Sequence, residues 1–232
     1  MIKAVFFDLY HTLVHYEPPR EELLAKALNE LDVDLEPADL GRPLVIADEF
    51  LYAEHARLPL GKRSPEETWA LYSQHAEIML KEAGIEVSPQ LLGDLMVKFK
   101  HFEFQMALFD DVIGALTDLK GRELTLGLIS NVDKDISPLC QELGLAPLLP
   151  ILVTSQDTGF YKPGPEIFAE ALLRAGAQAP EALYVGDQYQ VDVIGANKAG
   201  MKGILLDRGG HFEHTYDCPR IRNLNQIVEH LE

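Results

Sequence analysis

Two acidic residues, Asp8 and Asp187, each stand at the tip of a short apolar run: Ile2 to Phe7 leads into Asp8, and Leu183 to Val185 leads into Gly186-Asp187. A third run, Leu124 to Ile129, ends at Ser130-Asn131. Short apolar runs closed by a polar residue read as buried strands, and a parallel sheet delivers the carboxyl ends of its strands to one edge. Two carboxylates, a hydroxyl and an amide gathered there make an active-site layout and not merely a fold layout. Taken singly, Asp8 and Asp187 read as ordinary exposed strand-end acids. Their combination with Ser130 and Lys162 is what points to a site.

The pattern between those residues says what must position them. From Glu17 to about Phe102 the apolar spacing is helical: Leu23, Leu24, Ala27, Leu28 and Leu31, then Leu44, Ala47 and Leu51, then Trp69, Tyr72, Ala76 and Leu80, then Leu91, Leu95, Met96 and Phe99. Breaks near Leu35 to Arg42, Pro59 to Pro65 and Gly84 to Pro89 separate four helices, a compact bundle whose aromatic and methionine residues serve packing. Beyond it strand and helix patterns alternate. Asp110-Asp111 caps a helix carrying Val112, Leu116 and Leu119, and apolar strands follow at Leu124 to Ile129, Leu148 to Val153, Leu183 to Val185 and Gly203 to Leu206. Pro165 opens a helix that Gly176 ends, Gly200 stops another, and Leu224, Ile227, Val228 and Leu231 mark a last one. Such alternation predicts an α/β fold: a Rossmannoid parallel sheet flanked by helices, formed by residues 1–16 and 103–232. Residues 17–102 are then an inserted helical-bundle cap after the first strand, placed where it could cover the strand ends.

Composition narrows the function. With 20 Lys plus Arg against 37 Asp plus Glu, the formal charge is −17, and no basic patch offsets it. A nucleic-acid backbone would be repelled. The 47% hydrophobic content is that of an ordinary globular protein. Cys140 and Cys218 suggest no disulfide framework, and Ile2 to Phe7 is too short for a signal peptide or membrane span, so the expected location is the cytoplasm. The expected partner is a small molecule, with no membrane and either a monomer or a homodimer.

Four motifs now occur in order: Asp8-Leu9-Tyr10-His11-Thr12-Leu13, Ser130-Asn131, Lys162-Pro163, and Gly186-Asp187 followed by Asp192. Together they resemble the haloacid dehalogenase-like (HAD) hydrolase superfamily, across nearly the whole chain. The stretch Thr154 to Phe168 resembles its capped subgroup of small-molecule phosphatases and haloacid dehalogenases. The resemblance implies Asp8 as nucleophile, Thr12 and Ser130 holding the transferred group, Asn131 helping to position substrate, and Lys162 balancing charge. For phosphoryl transfer it implies a magnesium ion held by Asp8, the Tyr10 carbonyl and Asp187, with Asp192 behind them or as an additional contact.

Tyr10 departs from the phosphatase pattern, which places a second aspartate there as general acid and then base. A tyrosine ionises near pH 10 and replaces such a group poorly. Asp-x-Tyr resembles instead the 2-haloacid dehalogenases, whose aspartate displaces halide. Against that reading, Gly186-Asp187 replaces their Ser-x-Asn, His11 stands where they carry glycine, and none of Arg20, Arg42 or Arg57 matches their cap arginine. The Asp187 motif carries more weight, so the expected function is a magnesium-dependent phosphatase of a small phosphorylated metabolite. The alternatives are a 2-haloacid dehalogenase and a noncatalytic phosphate-binding protein. Weaker signals are His11 and His15 as gates, Asp192 as a substitute acid or base, and Tyr189 and Phe160 narrowing access. His211, His214 and Cys218 lack persuasive zinc spacing, and Gly209-Gly210 reads as a turn.

Overall fold

The computed structural model describes residues 1–212 and 217–232. In chain order its elements are β1 Ala4–Phe7, β2 Val14–Glu17, α1 Arg20–Asn29, α2 Pro37–Arg57, α3 Pro65–Glu82, α4 Pro89–Phe99, β3 Gln105–Leu108, α5 Val112–Gly121 and β4 Thr125–Ser130. Next come α6 Ser137–Glu142, β5 Ile151–Thr154, α7 Ser155–Thr158, α8 Pro165–Ala175, β6 Ala182–Gly186, α9 Ile194–Lys198, β7 Lys202–Leu206 and β8 Arg220–Ile221. A six-stranded sheet has the order β5-β4-β1-β6-β7-β8, and its pairings are parallel. No helix among the described residues is long and apolar enough to cross a membrane.

The chain divides into two compact units, Met1–His15 with Ala107–Glu232, and Tyr16–Met106. The first holds the parallel sheet. Central strand β1 is fully buried because β4 and β6 pair with its two edges while both faces are covered, which is why its sequence is continuously apolar. Phe6, Ile129, Val153, Ile167, Phe168 and Tyr184 belong to one packed layer of this core. The second unit holds α1–α4 around Leu24, Leu28, Leu40, Leu44, Met79, Leu80 and Leu95. The chain passes between units through β2 and β3, which form a two-stranded ribbon of their own. Periodicity missed both strands because each is four residues long and only part-buried.

Several local expectations shift. The break at Leu35 to Arg42 is shorter, since Glu36 and Asp39 form a capping box with Pro37 in the first turn, and α2 then runs through Pro43. Pro37 at the first helical position loses no intrahelical bond, whereas Pro43 lies inside the helix, where its missing N–H forgoes one. Asp111 precedes α5 but its side chain caps nothing, because Arg208 and the Leu224 N–H occupy it. The last helix is a 3₁₀ segment, Leu224–His230, and the turn after Asp187 is a π turn, Tyr189–Val193, that leads into a short α9.

Candidate active site

The carboxyl ends of β1, β4 and β6 bring the predicted residues together. In the ladder Phe7 lies beside Leu128 on one side and Val185 on the other, and the Asp8 N–H extends that ladder by donating to the Val185 carbonyl at 2.9 Å. Asp8 and, one residue beyond its level, Ser130 and Asp187 therefore leave the sheet at the same edge. Ser130 is buried at the end of β4, opposite Thr154 of β5.

After Asp8 the chain closes a tight loop. The Leu9 carbonyl accepts from the N–H groups of Leu13 and Val14, and His11 takes a positive φ of 58°. Glycine would adopt that conformation without strain, and His11 adopts it at a modest cost. Thr12 is buried, its carbonyl accepts from Arg208 Nη2 at 2.9 Å, and its Oγ1 has no hydrogen-bond partner. Arg208 is itself fixed by a two-pronged grip on Asp111, at 3.0 and 2.9 Å, and by the face of Phe109, 4.0 Å from its centre. Nothing local in the sequence marks Arg208 or Asp111 as supports of this loop, because 97 residues separate them.

Lys162 is buried, and its ammonium lies 2.7 Å from Asp8 Oδ1, 2.7 Å from Asp192 Oδ1 and 2.8 Å from the Tyr184 hydroxyl. Its backbone is set by Asn131: the Lys162 N–H donates to Asn131 Oδ1 at 2.8 Å, and Asn131 Nδ2 donates to the Lys162 carbonyl at 2.9 Å. Asn131, expected to position substrate, spends both ends of its amide on the lysine loop. Ser155 anchors the same region, accepting from the Val132 N–H and donating to the Val132 carbonyl, both at 2.8 Å. Asp192 also accepts from the Gln188 N–H through Oδ2, at 3.0 Å. Gly186 is required by this packing, since a β-carbon there would fall 2.3 Å from Asp192 Cγ.

Electrostatics follow from burial. The Asp8 carboxyl is pushed up to about 6, first by desolvation, with Asp192 adding to the rise and Lys162 opposing it. Burial alone would discharge Lys162, but Asp192 and Asp8 outweigh it and hold the ammonium charged. The Tyr184 phenol is driven well above its ordinary range by burial and by Asp192 and Asp8. It stays neutral.

Oxygen atoms of Asp8, Asp187 and Asp192 lie within 4.8 Å of one another, a cluster able to coordinate a divalent ion. The surroundings fit one. Gln188 Nε2 donates to Asp187 Oδ2 at 2.8 Å while its Oε1 is buried without a partner, as is Thr12 Oγ1. Such oxygens are what a hydrated cation and an oxyanion would satisfy. Tyr10 is half-buried and forms an isolated bridge with Val14. Phe160 is exposed, beside Tyr161, whose hydroxyl donates to Asp133. In the loop after β7 the His211 N–H donates to Asp207, Cys218 is half-buried, and His214 lies outside the described residues.

Tyr184 was not singled out from the sequence. It sits inside an apolar strand run, where an aromatic residue reads as core, and only the hydroxyl distances distinguish it.

Residues 2–200 match the family model of the haloacid dehalogenase-like hydrolases. The glyceraldehyde 3-phosphate phosphatase of Methanopyrus kandleri is 30% identical over 243 residues, covering 100% of this chain and 99% of its own. Its namesake from Methanothermobacter thermautotrophicus is 32% identical over 212 residues, covering 89% and 86%. The crystal structure of a 2-haloacid dehalogenase from Pseudomonas syringae superposes with a TM-score of 0.56 at 30% identity, covering 99% and 97% of the two chains. The order of the strands, the clustered aspartates and these likenesses agree, and the chain belongs to the haloacid dehalogenase-like hydrolases.

Proposed function

We propose that this hydrolase is a magnesium-dependent phosphatase of a small phosphorylated metabolite, acting through an aspartyl-phosphate on Asp8. The observation that carries the reading is the third carboxylate: Asp187 joins Asp8 and Asp192 within 4.8 Å, and halide displacement has no use for such an oxygen cluster. Two glyceraldehyde 3-phosphate phosphatases at 30% and 32% identity support it.

In this reading Asp8, the Tyr10 carbonyl and Asp187 hold the ion, with Asp192 as an acidic contact behind them. Bound magnesium would offset phosphoryl charge and keep the carboxylates ionised. A carboxylate oxygen of Asp8 attacks phosphorus, and the phosphorus–oxygen bond to the leaving group breaks, its electron pair departing on that oxygen. Water then attacks the acyl phosphate and releases inorganic phosphate, restoring the Asp8 carboxylate. Thr12 and Ser130 supply hydroxyls to the phosphoryl oxygens, and Lys162 holds a positive charge against Asp8 throughout. Tyr10 supplies no ready acid or base, so good leaving groups such as aryl and acyl phosphates are turned over best. General acid catalysis contributes roughly 10²- to 10⁴-fold, and that margin is what alkyl esters lose.

A second reading, 2-haloacid dehalogenase, is favoured by Tyr10 itself and by the Pseudomonas syringae enzyme at 30% identity. There Asp8 attacks the carbon bearing halogen, halide leaves with its electron pair, and water opens the ester. A parallel screen for phosphate and halide release, with magnesium and with chelator, on wild type and Asp8→Asn decides between them. Magnesium-dependent phosphate release lost in Asp8→Asn is expected. Magnesium-independent, Asp8-dependent halide release overturns the phosphatase reading, and release of neither product by folded protein points to a binding role.

A further inference from the structure

We propose that Tyr184 is a positioning residue for this chemistry, the third leg of a tripod that fixes the Lys162 ammonium against the attacking Asp8. The proposal deepens the function above and rests on it for its catalytic meaning. Its geometric core does not.

An ammonium carries three N–H donors and no acceptor. Lys162 has three acceptors in reach: Asp8 Oδ1 at 2.7 Å, Asp192 Oδ1 at 2.7 Å and the Tyr184 hydroxyl at 2.8 Å. Two partners would leave the ammonium free to swing about the line joining them. A third removes that freedom, and with all three donors spent on protein Lys162 acts on the reacting group as a charge fixed beside Asp8. The hydroxyl is itself pinned, 3.0 Å from Asp192 Oδ1 and 3.1 Å from the Ile129 carbonyl, and it has one hydrogen to share between those two acceptors. Its ring is fully buried on β6 and meets Phe168 edge-on, with centres 5.1 Å apart and planes at 84°. The leg is rigid.

The plainer reading is a core tyrosine whose hydroxyl merely needs a partner. The Ile129 carbonyl alone would satisfy that need. Two further contacts, both to groups of the site and both charged, are what a packing residue does not require.

The test is Tyr184→Phe, which keeps the ring and removes the leg. In metal-free protein labelled with ¹⁵N-lysine, the Lys162 ammonium signal is assigned by its loss in Lys162→Met. Wild type should show it protected from exchange with water, and Tyr184→Phe should exchange it at least about tenfold faster. Phe168→Leu loosens the ring but keeps the hydroxyl and should retain most of the protection. With whichever product the wild type releases, Tyr184→Phe should lose roughly 10- to 100-fold in kcat, as expected for a misplaced catalytic group, while KM changes less than about threefold. Unchanged exchange in folded Tyr184→Phe overturns the proposal whatever the activity. Faster exchange with unchanged kcat in an active enzyme overturns its catalytic part. If wild type turns over neither substrate class, the functional reading falls and the exchange measurement alone decides whether the tripod exists. Should Tyr184→Phe not fold, replacing Tyr184 by 4-fluorophenylalanine fills the place of the hydroxyl with an atom that accepts hydrogen bonds poorly. Faster exchange in that variant supports the tripod, and unchanged exchange overturns it.

Discussion

Replacing Asp8 by asparagine should stabilise the metal-free protein, although it abolishes the proposed nucleophile. Asp8 is 8% exposed, and its carboxyl is raised from 3.8 to about 6, by burial first and by Asp192, against the pull of Lys162. The folded state thus holds the Asp8 proton more tightly than the unfolded chain does. Its contribution is most favourable below the unfolded value and is lost as pH rises from about 4 to about 6. A separation of roughly two pH units, at about 1.36 kcal/mol each, amounts to about 3 kcal/mol at pH 7.5. Asparagine resembles the protonated acid in size and neutrality and escapes that cost. We expect Asp8→Asn to be more stable than wild type by about 1–3 kcal/mol at pH 7.5 in chelator, with the gap narrowing to about 1 kcal/mol or less at pH 4.5. Urea unfolding at the two pH values measures it. Adding magnesium should narrow or reverse the gap, since an ion bound by the Asp8 carboxylate stabilises wild type more than a variant that offers a neutral amide oxygen there. A less stable Asp8→Asn at pH 7.5 in chelator, or a gap independent of pH, would refute the claim that burial and Asp192 outweigh Lys162 at this carboxylate.

Gly186→Ala would drive a methyl group to 2.3 Å from Asp192 Cγ, so Asp192 must move and Lys162 loses a partner; about 1–3 kcal/mol of stability and most of kcat should go together, measured by unfolding and by turnover. Retained activity would show that Asp192 can be displaced without loosening the lysine. In the helical unit Asp48 is buried, 2.6 Å from Arg20 Nη1 and 3.0 Å from His75 Nε2. Asp48→Ala strands part-buried Arg20 and should cost about 2–4 kcal/mol, somewhat below the full penalty for breaking a buried pair because Arg20 keeps some water contact. A loss under about 0.5 kcal/mol in denaturant unfolding would show the cluster to be solvated.

Legibility in the sequence followed the length of the signal. The strands β1, β4 and β6 announced themselves because burial on both faces makes them continuously apolar, and α3 because Trp69, Tyr72, Ala76 and Leu80 repeat at helical spacing after the break at Pro59 to Pro65. Short, half-buried β2 and β3 gave no period to read, and β8 is two residues long. In the site, Asp8, Ser130, Lys162 and Asp187 were legible as polar residues closing apolar runs or standing in ordered motifs. Tyr184 and Arg208 were not, since one was masked by its apolar neighbours and the other acts on Thr12 across 196 residues.

By itself the sequence determined which residue types reach the carboxyl edge of a parallel sheet, because strand pattern and chain order leave few topologies for them. Only the tertiary structure decided how those groups divide their bonds. Asn131 turned to the lysine backbone, Asp192 to Lys162, Tyr184 and the Gln188 N–H, and Asp187 to the Gln188 amide. The physical reason is range: burial pattern is a property of neighbours a few residues apart, whereas the bonds Lys162 makes with Asn131, Asp192 and Tyr184 are decided within about 3 Å between residues 31, 30 and 22 apart, and those around Gln188 by a π turn that no periodicity announces.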